Sequence, residues 1–222
     1  MNSARLPFAA AVLLGPVVSP PTGNALRRKF LALLASLALG GFPLMAQQPV
    51  SVQPENFVFA DDGSIPNNPL PLLLYRQAFS TDTPDLASAI ETRFGANDWT
   101  GSWRAGVFPF HHYHSTTHEV LGVYRGTATL QLGGEKGRKF DVKPGDVIVI
   151  PAGVGHKRVA SSADFGVVGA YPGGRQWDLL RGLPGERLQA DRNIAAVPLP
   201  ETDPIYGADG RLRKIWAEKP GP

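Results

Sequence analysis

Four of the chain's five histidines, His111, His112, His114 and His118, fall within the stretch FHHYHSTTHEVLGVYRG that starts at Phe110, and the fifth, His156, closes GDVIVIPAGVGH. Imidazole is the commonest metal ligand, and a carboxylate, Glu119, follows the cluster directly. In extended chain, residues two apart point the same way. His112 and His114 therefore share a face with Phe108 and Phe110, while His111 and Tyr113 take the other. A face that is apolar at one end and imidazole at the other suits the interior of a barrel. Glu119 heads an apolar strand, where an unpaired carboxylate is costly and metal coordination would relieve the cost. The turn PAGVG ahead of His156 would return that imidazole to the same interior. His112, His114, Glu119 and His156 thus make a mixed nitrogen and oxygen set suited to a divalent first-row ion with open positions. Manganese or iron is favoured, and nickel or zinc is compatible.

The neighbours have plainer readings. His111 and His118 face outward by phase, in solvated or supporting roles, and Tyr113 points away from the ligands. Phe108, Phe110, Trp99 and Trp103 read as core, and the charged run Lys136 to Lys139 as a solvated turn. Arg104 and Arg125 are the visible candidates for a cation projecting into a pocket beside the metal.

These residues need elements to position them. From Trp103 to Ala170 the chain runs in short apolar segments separated by glycine turns. The alternation of Ala128, Leu130 and Leu132 with Thr127, Thr129 and Gln131 is the period of a half-buried strand. Several such strands with tight turns predict an all-β antiparallel sandwich or barrel. Residues 47–69 are rich in Pro, Asn and Asp and read as an irregular arm, and Leu70 to Phe79 as the strand that follows it. TPDLASAIETRFGAN predicts one short helix, with Thr83 as its cap, Pro84 at its first position, Leu86, Ile90 and Phe94 on one face, and Gly95 at its end. The tail from Tyr171 is expected to wrap the barrel. There is no internal repeat and no low-complexity tract.

Composition closes several doors. The absence of cysteine excludes a disulfide scaffold, a zinc ribbon and thiol chemistry. The pI of about 9.3 is a property of the leader. Residues 1–46 hold Arg5, Arg27, Arg28 and Lys29 and no acid, and without them eighteen basic residues face nineteen acidic ones, a net of −1. A nucleic-acid partner is therefore not expected. RRKFLALLASLALGGFPLMAQQ resembles a twin-arginine export signal, from Arg27-Arg28-Lys29-Phe30-Leu31 to a cleavage site after Ala46, with Leu44 departing from the small residue usual there. Gly40, Gly41 and Pro43 make the apolar run a poor permanent span. The mature protein is thus expected to be periplasmic or secreted, without a stable membrane span.

The spacing Gly106-x5-His112-x-His114-x4-Glu119-x6-Gly126 resembles the first motif of the cupin superfamily, and Gly145-x5-Pro151-x-Gly153-x2-His156 the second. Ala160 stands where the second motif usually has Asn, a position that is not a ligand in the family. HHYHSTTHEVLGV, PAGVGHKR and DRNIAAVPLPETDP are similar to single-domain YjlB-type cupins, over roughly Leu72 to Tyr206. The resemblance implies a jelly-roll-like barrel at 70–206 with a tail at 207–222, a metal near its middle, a small-molecule ligand or substrate, and a homodimer. It does not choose a reaction. Dioxygenases, isomerases and oxalate-type decarboxylases share these ligands. A non-catalytic cupin that binds a sugar or carboxylate is the alternative, and a storage role ranks last.

Overall fold

The computed structural model describes residues 52–218, so the leader and its arginines lie outside the described residues. Nine strands form two antiparallel sheets. β1 (Glu55–Phe59), β2 (Asn68–Tyr75), β7 (Val147–Ile150), β4 (Glu119–Arg125), β9 (Gly166–Pro172) and β3 (Trp99–Ala105) follow one another in that order across the larger sheet. The smaller sheet has the order β6 (Arg138–Val142), β5 (Ala128–Leu132), β8 (His156–Ser161).

Alternation along the strands sorts the residues into two cores. Leu72 and Leu74 of β2, Leu121 and Val123 of β4, and Ile148 and Ile150 of β7 face Ala128, Leu130, Leu132, Phe140 and Val142 of the smaller sheet, filling the barrel. The alternate residues, among them Leu73, Tyr75, Val120, Val147 and Val149, point the other way and are buried as well. Helices cover that second face. Leu86, Ala87, Ile90 and Phe94 of α1 (Leu86–Ala96) and Leu212 and Trp216 of α3 (Arg211–Ala217) pack on it. A sheet covered on both sides reads as a continuous apolar run, which is why LPLLLY shows no alternation.

Several expectations are corrected. The arm at 47–69 is not wholly irregular, because β1 pairs antiparallel with β2 and forms the sheet edge. α1 is capped by Asp85, whose side chain accepts from the Ser88 amide at 3.0 Å, and not by Thr83. The helix runs through Gly95 to a cap at Asn97. The tail contains two more helices, α2 (Arg187–Ala196) and α3. Since Leu212 and Trp216 are fully buried, the folded domain continues past Tyr206. Among the described residues no helix is long and apolar enough to cross a membrane.

Candidate metal centre

The two histidine motifs are stitched together by backbone. His112 and His156 form an isolated antiparallel bridge, with His112 N–H donating to the His156 carbonyl at 3.2 Å and His156 N–H returning a bond at 2.9 Å. Directly opposed residues present their side chains to the same face, and the two rings stand 4.0 Å apart, centre to centre. Gly153, at a φ of +87° in the PAGVG turn, donates to the His114 carbonyl at 2.8 Å. A Cβ there would stand 2.6 Å from the Asn67 carbonyl oxygen, so the turn requires glycine on both counts.

The ligand atoms of His112, His114 and His156 lie within 4.8 Å of one another and could hold a metal ion. Glu119, in phase with Leu121 and Val123 on β4, brings its carboxylate beside His156 and His114. Its Oε2 is 3.1 Å from His156 Nε2 and 3.6 Å from His114 Nε2. All four residues are at least 94% buried.

Hydrogen bonding fixes how the rings are used. Nδ1 of His112 faces the Phe110 carbonyl at 3.2 Å, Nδ1 of His156 the Val154 carbonyl at 3.2 Å, and Nδ1 of His114 the Asp178 carbonyl. A carbonyl can only accept, so each Nδ1 carries a proton and each ring turns its Nε2 inward. Oε2 of Glu119 is buried without a hydrogen-bond partner. Three inward Nε2 atoms and an anionic oxygen thus converge, a donor set that a cation would satisfy. The residues present fit a divalent metal on this ground.

The surroundings set the proton affinities of His112, His114 and Glu119 apart. Burial first, then the neighbouring imidazoles of His156 and His114, lowers the pKa of His112 to about 2 and keeps it a neutral ligand. Burial works against charge on His114 and on Glu119 alike. Their mutual attraction outweighs it, raising the one and holding the other below the usual carboxylate range.

Asp178 steadies His114. Its carbonyl receives the ring, and its carboxylate takes the Ser115 amide at 2.6 Å and the Ser115 hydroxyl. Nothing in the sequence spacing marked Asp178, which arrives from the loop after β9.

Above the ligands is a cavity of about 200 Å³, walled by Trp103, Val107, Phe108, Leu121, Tyr171 and Trp177. Trp103 and Phe108 are therefore walls of this cavity, whereas Trp99 is core with no exposure. Phe110 stacks on Phe108 with centroids 5.0 Å apart. Gly169 lets Trp103 in, since a Cβ there would stand 2.2 Å from the indole ring. Arg104 is bound to Glu91 on the outer face, and Arg125 lies over Tyr124, so neither enters the cavity. A larger cleft of about 440 Å³, lined by Thr129, Asp141 and Ser161 among others, lies at the opposite end of β5 and β8 and holds no imidazole.

The two remaining histidines are placed apart from the ligands. His111 is half-buried, with Nε2 3.3 Å from Glu135. His118 faces away from the barrel interior as expected but is not solvated: it is 1% exposed, its Nδ1 accepts from the Ala152 amide at 3.0 Å, and its ring packs on Trp216. Burial lowers its pKa to about 4, which preserves that acceptor. Tyr113 points away, into a cluster with Ile65 and Ala190.

Residues 104–164 match the Cupin domain family, in agreement with the barrel and its inward histidines. The chain is also 51% identical over 165 residues to YjlB of Bacillus subtilis (strain 168), a match covering 74% of this chain and 97% of that protein. It belongs to the YjlB family of cupins. Solved structures similar in part include an acireductone dioxygenase from Bacillus anthracis with a cadmium ion in its active centre (19% identity, TM-score 0.33, 45% of this chain and 76% of that one). Another is the oxalate decarboxylase of Bacillus subtilis (19% identity, TM-score 0.31, 67% of this chain and 35% of that one).

Proposed function

We propose that the protein is a metal-dependent cupin enzyme that holds one divalent first-row ion on His112, His114, His156 and Glu119 and uses it on a small molecule with dioxygen. The observation that carries this is Oε2 of Glu119, buried without a hydrogen-bond partner beside the inward Nε2 atoms of His156 and His114. When bound, such an ion supplies a Lewis acid and open positions for substrate and oxygen.

The chain's own residues favour oxygen chemistry over isomerisation. Moving a proton between carbons needs a base beside the substrate. The proposed ligands apart, Tyr171 is the one titratable side chain among the described residues that lines the cavity, and burial and then Glu119 raise its pKa, so it stays a protonated phenol. The apolar wall also counts against a passive sugar binder, which would need polar partners for each hydroxyl.

The proposal extends to location and assembly. The arginine pair Arg27 and Arg28, followed by Phe30 and Leu31, supports export of a folded, metal-loaded protein to the periplasm or beyond, and the family resemblance supports a homodimer. Oxygen uptake by the metal-analysed protein, screened against small diols, thiols and carboxylates, tests the enzyme reading. Uptake that depends on bound metal and on one substrate class is expected. Metal-loaded protein inert to every class would favour a binding role.

A further inference from the structure

We infer that the ligand of this site is a monoanionic chelator: two adjacent oxygens on an apolar body about the size of one aromatic ring, as in a catechol or a ring-bearing enediol. The inference rests on the metal reading above and names its substrate class.

Size gives the first limit. An apolar cavity of about 150 Å³ is enough to hold one benzene, and this one is about 200 Å³. A single ring with two small substituents fills it; a disaccharide or a nucleotide does not enter.

Charge gives the second. Three neutral imidazoles and one carboxylate around a divalent ion leave one positive charge in a water-poor cavity. One anionic oxygen on the ligand neutralises it, and a second negative charge would be buried without a partner. Among the described residues no Lys or Arg lines the cavity. The nearby guanidiniums are engaged: Arg158 donates to the Val107 carbonyl at 3.1 Å and to Ser161 at 3.0 Å, and Arg181 sits 4.2 Å over the Phe110 ring. Phosphorylated and dicarboxylate ligands therefore find no counter-charge beyond the metal.

The wall gives the third. Phe108 and Trp177 line the cavity yet stay 45% and 46% exposed, two large aromatic faces that water covers when no ligand is bound. Trp177 also stacks on Tyr171, with centroids 6.2 Å apart. A ring held by its oxygens at the metal would lay its far edge against these faces and remove them from water.

The test is a binding titration of the purified protein loaded with Mn(II), its metal content measured first. The probes are catechol, oxalate, glucose 6-phosphate and phenol. Catechol is expected to bind at least about tenfold more tightly than each of the other three. Phe108→Ala combined with Trp177→Ala should weaken catechol about tenfold and leave the bound manganese unchanged. Oxalate or glucose 6-phosphate binding as tightly as catechol would overturn the inference while leaving the metal reading intact. So would phenol matching catechol, since chelation would then contribute nothing. Protein that takes up no manganese defeats the metal reading itself, and this inference with it.

Discussion

The phenol of Tyr171 donates to Oε1 of Glu119 at 3.4 Å, while its own oxygen accepts from the Trp103 indole at 2.9 Å. The two carboxylate oxygens are thereby given different tasks: Oε1 is tied to the wall of the cavity, and Oε2 is left facing the imidazoles. In the proposed site, Glu119 would offer one oxygen to an ion.

Tyr171→Phe removes that tie without changing the shape of the wall. Metal affinity is expected to fall by up to about tenfold, the lower end for partners that orient a ligand, because the bond is long. A competition titration against a chelator reads it. Unchanged affinity together with an unchanged Mn(II) spin-resonance spectrum would show that Tyr171 does not orient Glu119.

Gly169 is directly opposed to Trp103 across β3 and β9. Gly169→Ala should push the indole off its seat, break its bond to Tyr171 and destabilise the fold by about 1–3 kcal/mol. Denaturant unfolding measures the loss, and the tryptophan fluorescence of the folded variant should shift as the ring moves. A variant as stable as the parent would mean that the sheet gives way instead.

His118 shows how a buried histidine beside a ligand can be purely structural. His118→Ala leaves the Ala152 amide without its acceptor and opens a space against Trp216, for an expected loss of about 2–4 kcal/mol. Metal content per folded chain should not change. Metal loss larger than the loss of folded protein would place His118 among the ligands.

These residues also mark how far the sequence could be read. Period-two alternation placed His112 and His114 on one face, because backbone geometry alone decides that. The same alternation put His118 on the outer side, where it lies, but could not show that α3 and Trp216 cover that side and exclude water. A contact about a hundred residues away leaves no trace in local spacing. Arg104 and Arg125 were candidates on charge alone, and nearby partners, Glu91 and Tyr124, hold them away from the cavity. Asp178 and Trp177 escaped notice because they come from a glycine-rich loop without periodicity, whose path only the folded barrel defines. The helix was legible, but its cap was not: Asp85 and Thr83 are both competent, and the hydrogen bond to Ser88 decides between them.

The export reading has its own test. With Arg27→Lys and Arg28→Lys together, the protein is expected to stay in the cytoplasm, while the parent is recovered outside it with a mature end near Gln47. Export undisturbed by the double substitution would leave only a general secretory signal. Rerouting the same mature chain through an unfolded-export signal should change the metal it carries, because affinity alone favours copper and zinc over manganese or iron.

The central claim is that His112, His114, His156 and Glu119 hold an ion together, and the metal content of four proteins measured side by side tests it most directly. The parent and His111→Ala should each carry about one first-row divalent ion per chain, while His112→Ala and Glu119→Ala should lose most of it, each having lost a ligand. Folding of all four is confirmed by circular dichroism. A metal-free parent, or equal retention by His111→Ala and Glu119→Ala, would contradict the account.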